Sequence, residues 1–183
     1  MIDRRTMLLG GLASLAVPDV AAAQWGRAID PVYLPRTIAF SGYAPGTIIV
    51  DTRRRFLYYM TGWHTARRYG IGVGRAGLAW SGSAVVGRKA KWPRWTPTAN
   101  MIRREPRKYA RWAGGMRGGP GNPLGARALY LYRGNRDTMY RIHGTNEPGT
   151  IGRAVSSGCI RMVNDHVTEL YNLVGVGAPV VVL

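Results

Sequence analysis

The chain contains one cysteine and three histidines, and two of these stand in a spacing that could do chemistry. His143 opens the run His143-Gly144-Thr145-Asn146. Cys159 sits in Ser156-Ser157-Gly158-Cys159-Ile160-Arg161-Met162, 16 residues further on (159 − 143). A thiol attacks as the thiolate, whose ordinary pKa is about 8.5, so it needs a base or a positive charge nearby to react at neutral pH. An imidazole changes charge near neutrality and suits that task. The glycine-bearing loop from Glu147 to Ala154 gives the chain room to fold the two side chains together. Gly158 allows a tight turn before the thiol. The amides around Gly158 and Cys159 could then face a developing oxyanion. Arg161, two residues past the thiol, would share its face on a strand. There it would hold a substrate carboxylate or lower the thiol pKa.

Competing readings exist for each group. A lone cysteine is often a small buried hydrophobe, and a histidine often a hydrogen-bonded structural residue. His64, in a turn-like Gly-Trp-His-Thr, and His166, near a helix start, read as surface or structural. Three histidines and one cysteine fit no usual zinc spacing, so no metal is expected. Arg53-Arg54-Arg55 reads as an exposed turn.

The elements that must position these groups are mostly strands. Thr47–Asp51 and Phe56–Met60 read as a pair around a turn at Thr52–Arg55. Arg67–Gly74 reads as a third strand broken by glycines. Residues 75–125, rich in Trp, Gly, Pro and Arg, are too long for a simple loop and are expected to carry binding surface. Ala128–Tyr132 and Met139–His143 are β-rich, and Pro179–Leu183 reads as a closing strand. Val163–Val174 is the clear helix, with Val167, Leu170, Tyr171 and Val174 on one stripe. Asn164 is expected as its N-cap and Gly175 as its stop.

A chain of 183 residues fits one domain with a real core. The charge is lopsided, with 26 Lys+Arg against 9 Asp+Glu and a formal net charge of +17. Lysine occurs only at 89, 91 and 108, so arginine dominates, and its planar fork suits carboxylates and phosphates. An anionic surface or polymer is the expected partner. One cysteine allows no internal disulfide. Residues 1–23 read as a signal peptide: Arg4-Arg5, an apolar run from Met7 to Val17, then Ala21-Ala22-Ala23 before Gln24. The arginine pair resembles a twin-arginine signal, and export to a periplasm follows. No stable membrane span is expected after cleavage, because the apolar run is shorter than the roughly 20 residues a span needs. Residues 24–45 are expected as an irregular arm and 46–183 as the catalytic domain.

The His143 and Cys159 blocks together resemble the signature of the L,D-transpeptidase catalytic domain (YkuD type). Asn122-Pro123-Leu124-Gly125-Ala126-Arg127-Ala128-Leu129-Tyr130-Leu131, Gly70-Ile71-Gly72-Val73-Gly74, and Pro93-Arg94-Trp95-Thr96-Pro97 followed by Met101-Ile102 extend the resemblance over roughly residues 46–183. The family's Thr-Pro-x-Gly after the early strand is replaced here by Leu78-Ala79-Trp80-Ser81-Gly82. The resemblance implies a mostly β, sandwich- or barrel-like domain with one clear helix after the cysteine strand. It implies a cysteine acyltransferase acting on peptidoglycan tetrapeptide stems. Cys159 would be the nucleophile, His143 the base and Gly144 the carbonyl that orients the imidazole. Ser157, Gly158 and Arg161 would line the donor site. No cofactor is implied. The acceptor would be an amine, on another stem or on an outer-membrane or wall-attached protein. A carboxypeptidase or a hydrolase of wall-linked protein would use the same fold. A basic module that binds wall polymer or nucleic acid without catalysis is the third class, although nucleic acid is not the expected partner of an exported chain.

Overall fold

The computed structural model describes residues 29–75, 80–156 and 158–183. The signal-peptide reading of 1–23, the start of the arm, Leu78 and Ala79 of the substituted Leu78–Gly82 loop, and Ser157 lie outside the described residues. Among the described residues, no helix is long and apolar enough to cross a membrane.

The β-branched run Ile48-Ile49-Val50 shows how the fold is built. In strand β2 (Ile48–Asp51) successive side chains point to opposite faces. Ile48 and Val50 enter the main core, and Ile49 enters a second cluster with Tyr58, Met60 and Ala66. β2 pairs with β3 (Phe56–Gly62), which pairs with β4 (Thr65–Gly70). The third expected strand divides at its glycines, because β5 (Val73–Gly74) leaves the main sheet. β11 (Pro179–Val182) runs parallel to β2 and antiparallel to β6 (Gly82–Lys91). β6 leads on through β7 (Arg127–Arg133) and β8 (Arg136–His143) to β10 (Ile160–Arg161). With β1 (Arg36–Ala39) at the other edge, the nine-stranded order is β1-β4-β3-β2-β11-β6-β7-β8-β10. β5 and β9 (Ala154–Ser156) form a separate parallel pair.

One face of the sheet closes over α3 (Asn164–Leu173), the longest helix among the described residues. Val167 and Leu170 of α3, with Val174 just past its end, share the main core with residues from β2 through β11. This is the mostly β domain with one clear helix that the sequence implied.

Three expectations change. The segment 24–45, expected as an irregular arm, contributes β1, which pairs with β4; Ile38, Phe40 and Tyr43 cover the second cluster. The segment 75–125, expected to carry binding surface, also contributes a central strand, β6, that the sequence did not reveal. Its Ser, Gly, Lys and Arg hide the pattern, and only Ala84 and Val86 are buried. The rest of the segment carries two short helices, α1 (Ala99–Arg104) and α2 (Pro106–Tyr109), in which no residue is buried. Finally, Asn164 is the first residue of α3 and not its cap; Val163 takes that position.

Candidate active site

β8 ends on His143, as its β-rich sequence suggested. β10 lies parallel beside it, with Ile160 opposite Ile142 and Arg161 opposite His143. The 16-residue connection supplies the return, through a turn at Pro148–Thr150 and then β9. Two backbone bonds tie the cysteine strand to the early glycine segment: Gly72 N–H donates to Arg161 O at 2.9 Å and Arg161 N–H to Gly72 O at 2.8 Å. His143, Cys159, Ser156 and Arg161 all line one cavity of about 370 Å³.

His143 is only 4% exposed. Its Nδ1 lies 2.6 Å from the Gly144 carbonyl oxygen. A carbonyl can only accept, so Nδ1 carries the proton and Nε2 keeps the lone pair. Gly144 must be glycine for this turn, since a Cβ there would collide with Asn164 Oδ1. Burial pushes the imidazole pKa down to about 4; the Arg161 and Arg141 charges push the same way, and the Gly144 bond opposes them.

Cys159 is a free, partly exposed thiol. Burial of its surroundings pushes its pKa up, opposed by the Arg141 backbone and by the charges of Arg141 and Arg161. Both shifts favour the uncharged forms, so at neutral pH the resting groups are a thiol and a neutral imidazole. The thiol faces the Met139 carbonyl at 3.9 Å. Met139 has φ of 63°, where the β7–β8 register shifts between Tyr130 and Tyr132. Bulges of this kind re-aim groups beside active sites.

Gly158 has φ of 124°, which a side chain would resist. Its N–H does not point into open space, however. It donates to Ser156 Oγ at 3.2 Å, and that hydroxyl donates to Cys159 O at 2.6 Å. The Gly158 amide, expected as an oxyanion donor, is thus engaged in holding the turn. Arg161 is on a strand, but Cys159 itself precedes it. The Arg161 guanidinium reaches Glu147 Oε2 at 2.9 Å.

Sequence reasoning missed several supports. Asn164 Oδ1 accepts from Ala126 N–H at 2.9 Å and Thr145 N–H at 3.2 Å, so it clamps the chain just after His143-Gly144. Its early place in a helix suggested a cap, and only the fold brings Thr145 and Ala126 to it. Arg141 is gripped twice by Asp137, at 2.7 and 2.8 Å, and lies over the Tyr130 ring at 4.3 Å. Buried Asn122 donates to the Pro93, Met116 and Arg117 carbonyls and accepts from Leu124 N–H. It ties down the segment that forms the facing wall. The groups expected to be peripheral are so: His64 lies in the Trp63–His64 turn, and His166 is half-buried on α3. Among the described residues no cluster of His, Cys, Asp and Glu could hold a metal ion.

The model of the L,D-transpeptidase catalytic domain (YkuD) matches residues 45–182. This chain belongs to the L,D-transpeptidase catalytic-domain family. It is 39% identical over 204 residues to the probable L,D-transpeptidase ErfK/SrfK of Salmonella typhimurium, covering 96% of this chain and 64% of that one. It thus spans about two thirds of that relative's length. A putative L,D-transpeptidase from Fuscovulum blasticum is 30% identical and is covered almost end to end, 100% of this chain and 98% of the other. Among solved structures, an L,D-transpeptidase from Mycobacterium smegmatis shares the fold, with a TM-score of 0.55 at 18% identity over 75% of this chain and 58% of that chain. A Brucella melitensis protein described as a probable carnitine operon oxidoreductase caia is 52% identical, with a TM-score of 0.60, covering 87% of this chain and 99% of its own. That description names redox chemistry, whereas the family model spans the whole His143–Cys159 block.

Proposed function

We propose that the protein is a cysteine L,D-transpeptidase acting on peptidoglycan tetrapeptide stems, with Cys159 as nucleophile and His143 as base. The observation that carries this reading is the shared cavity, in which the Gly144 carbonyl occupies Nδ1 of His143 and leaves Nε2 to take a proton. As the thiol attacks the carbonyl carbon of the third stem residue, its proton passes to Nε2. The Cys159 amide stabilises the oxyanion. Collapse of the tetrahedral intermediate breaks the peptide bond, and the imidazolium gives its proton to the departing D-Ala amine. The stem is left as a thioester on Cys159. An acceptor amine then attacks, passing its proton to His143, and the thioester breaks to restore the thiol. The acceptor is another stem or a wall-attached protein. Water in that place gives a carboxypeptidase.

Ser157, Gly158 and Arg161 form the donor side in this reading, and the groups named require no cofactor. Action in a periplasm, after export by the twin-arginine route, belongs to the same proposal. The test is incubation with a purified diaminopimelate-containing tetrapeptide muropeptide, read by mass spectrometry beside Cys159→Ala. Loss of D-Ala with a dimeric product is expected. Turnover retained in a folded Cys159→Ala protein would sink the mechanism. Loss of D-Ala without a dimer, even with added amines, would replace transpeptidation with hydrolysis.

A further inference from the structure

Of the charged side chains lining the cavity, Lys108, Arg111 and Arg161 are cationic and Glu147 is the single acid among the described residues. That acid is spent on one partner, Arg161 Nη1, at 2.9 Å. The two side chains differ in exposure, 19% for Arg161 and 55% for Glu147. The arginine is therefore fixed in the wall, and the carboxylate reaches it from the mouth.

The backbone at both ends is held independently of the pair. Arg161 is bonded in both directions to Gly72. Glu147 N–H donates to Thr145 Oγ1 at 3.0 Å, and its carbonyl accepts from Thr150 N–H at 3.0 Å and Thr150 Oγ1 at 2.7 Å. Separating the pair needs only side-chain rotation. The carboxylate of the pair is solvent-exposed, so exchange of one carboxylate for another costs little. An arginine fork, by contrast, is well suited to a second, bidentate carboxylate.

We propose that Glu147 is a resident stand-in for a substrate carboxylate: it occupies Arg161 in the free protein and is displaced when a peptide carboxylate enters. The pair then selects for substrates with a free carboxylate close to the scissile bond. This rests on the stem-peptide reading above and specifies which chemistry of the stem is recognised. Two carboxylates of such a stem qualify, the C-terminal one and the side-chain one of the third residue.

The test measures binding by calorimetry in a Cys159→Ala background, so that turnover plays no part. Three peptides are compared: the tetrapeptide acid, its C-terminal amide, and the peptide amidated on the third side chain. The acid is expected to bind about tenfold more tightly than one of the two amides, which identifies the carboxylate. Adding Glu147→Gln should tighten the acid about threefold or more and leave that amide unchanged. Adding Arg161→Gln should erase the difference between acid and amide. Glu147 is exposed, so its substitution is not expected to disturb the fold. Unchanged or weaker binding of the acid to the Glu147→Gln protein overturns the proposal, as does equal tightening of all three peptides. Failure of all three to bind overturns the stem-peptide reading and the role of the pair together.

Discussion

One wall of the cavity is made of β8 and β10, laid in register and backed by α3. The facing wall comes from the segment between β6 and β7. It is closed at its base by the Trp95–Met116 backbone pair and by Asn122. The first wall presents His143 and Cys159, the second Trp95, Tyr109, Lys108 and Arg111. Strands fixed by ladder bonds and a dry core hold side chains to the tolerance that proton transfer needs. A wall with two short helices and no buried helical residue has little core of its own, and such segments open at lower free energy than the sheet. Under the proposed function, the rigid wall carries the chemistry and the Arg161 contact, and the looser wall carries the rest of substrate recognition.

The largest effect should come from the rigid wall itself. His143→Gln removes the proposed proton acceptor and should lower kcat about 100-fold or more, measured by release of D-Ala, with the protein still folded. Next is Leu170→Ala, which deletes fully buried volume beneath that wall. It should cost about 2–5 kcal/mol, read as a lower denaturation midpoint and a proportionate fall in kcat at elevated temperature. On the opposite wall, Asn122→Ala strands three carbonyls and one amide, at a cost of about 1–3 kcal/mol. If the two walls are separate in function, this variant should raise KM more than it lowers kcat. An equal fall in kcat would break the comparison.

The last effect, comparable to that of Asn122→Ala, is on pH dependence. The folded His143 pKa, about 4, lies below its ordinary value of 6.5, so the unfolded chain binds more protons between those values. Stability is therefore full above pH 6.5 and is lost as the pH falls toward 4, by about 2 kcal/mol at pH 5. His166, also lowered by burial, adds in the same direction. Thermal unfolding at pH 7.5 and pH 5 would show the loss, and His143→Gln should reduce it.

Much of the candidate site was legible before the fold was known. His143, Gly144, Gly158, Cys159 and Arg161 are close in sequence, and their spacing and residue types suggested one cluster. The α3 stripe was legible because its apolar side chains follow the helical period, and the β2, β3, β7, β8 and β11 strands because they are short runs rich in β-branched, aliphatic and aromatic residues. β6 was not, because a strand with half its positions facing solvent can be written in Ser, Gly, Lys and Arg. Likewise, nothing local in Asn164 says that its amide serves the loop after His143.

By itself the sequence determined what is local: the periodicities, the turn glycines, and a thiol and an imidazole one loop apart. The tertiary structure alone decided what depends on contacts between distant segments. It set the tautomer of His143 beside a buried carbonyl, engaged the Gly158 amide with Ser156, and placed Glu147 against Arg161. The physical reason is that burial, hydrogen-bond partners and local field are properties of the packed chain, and they change the chemistry of a residue without changing its identity.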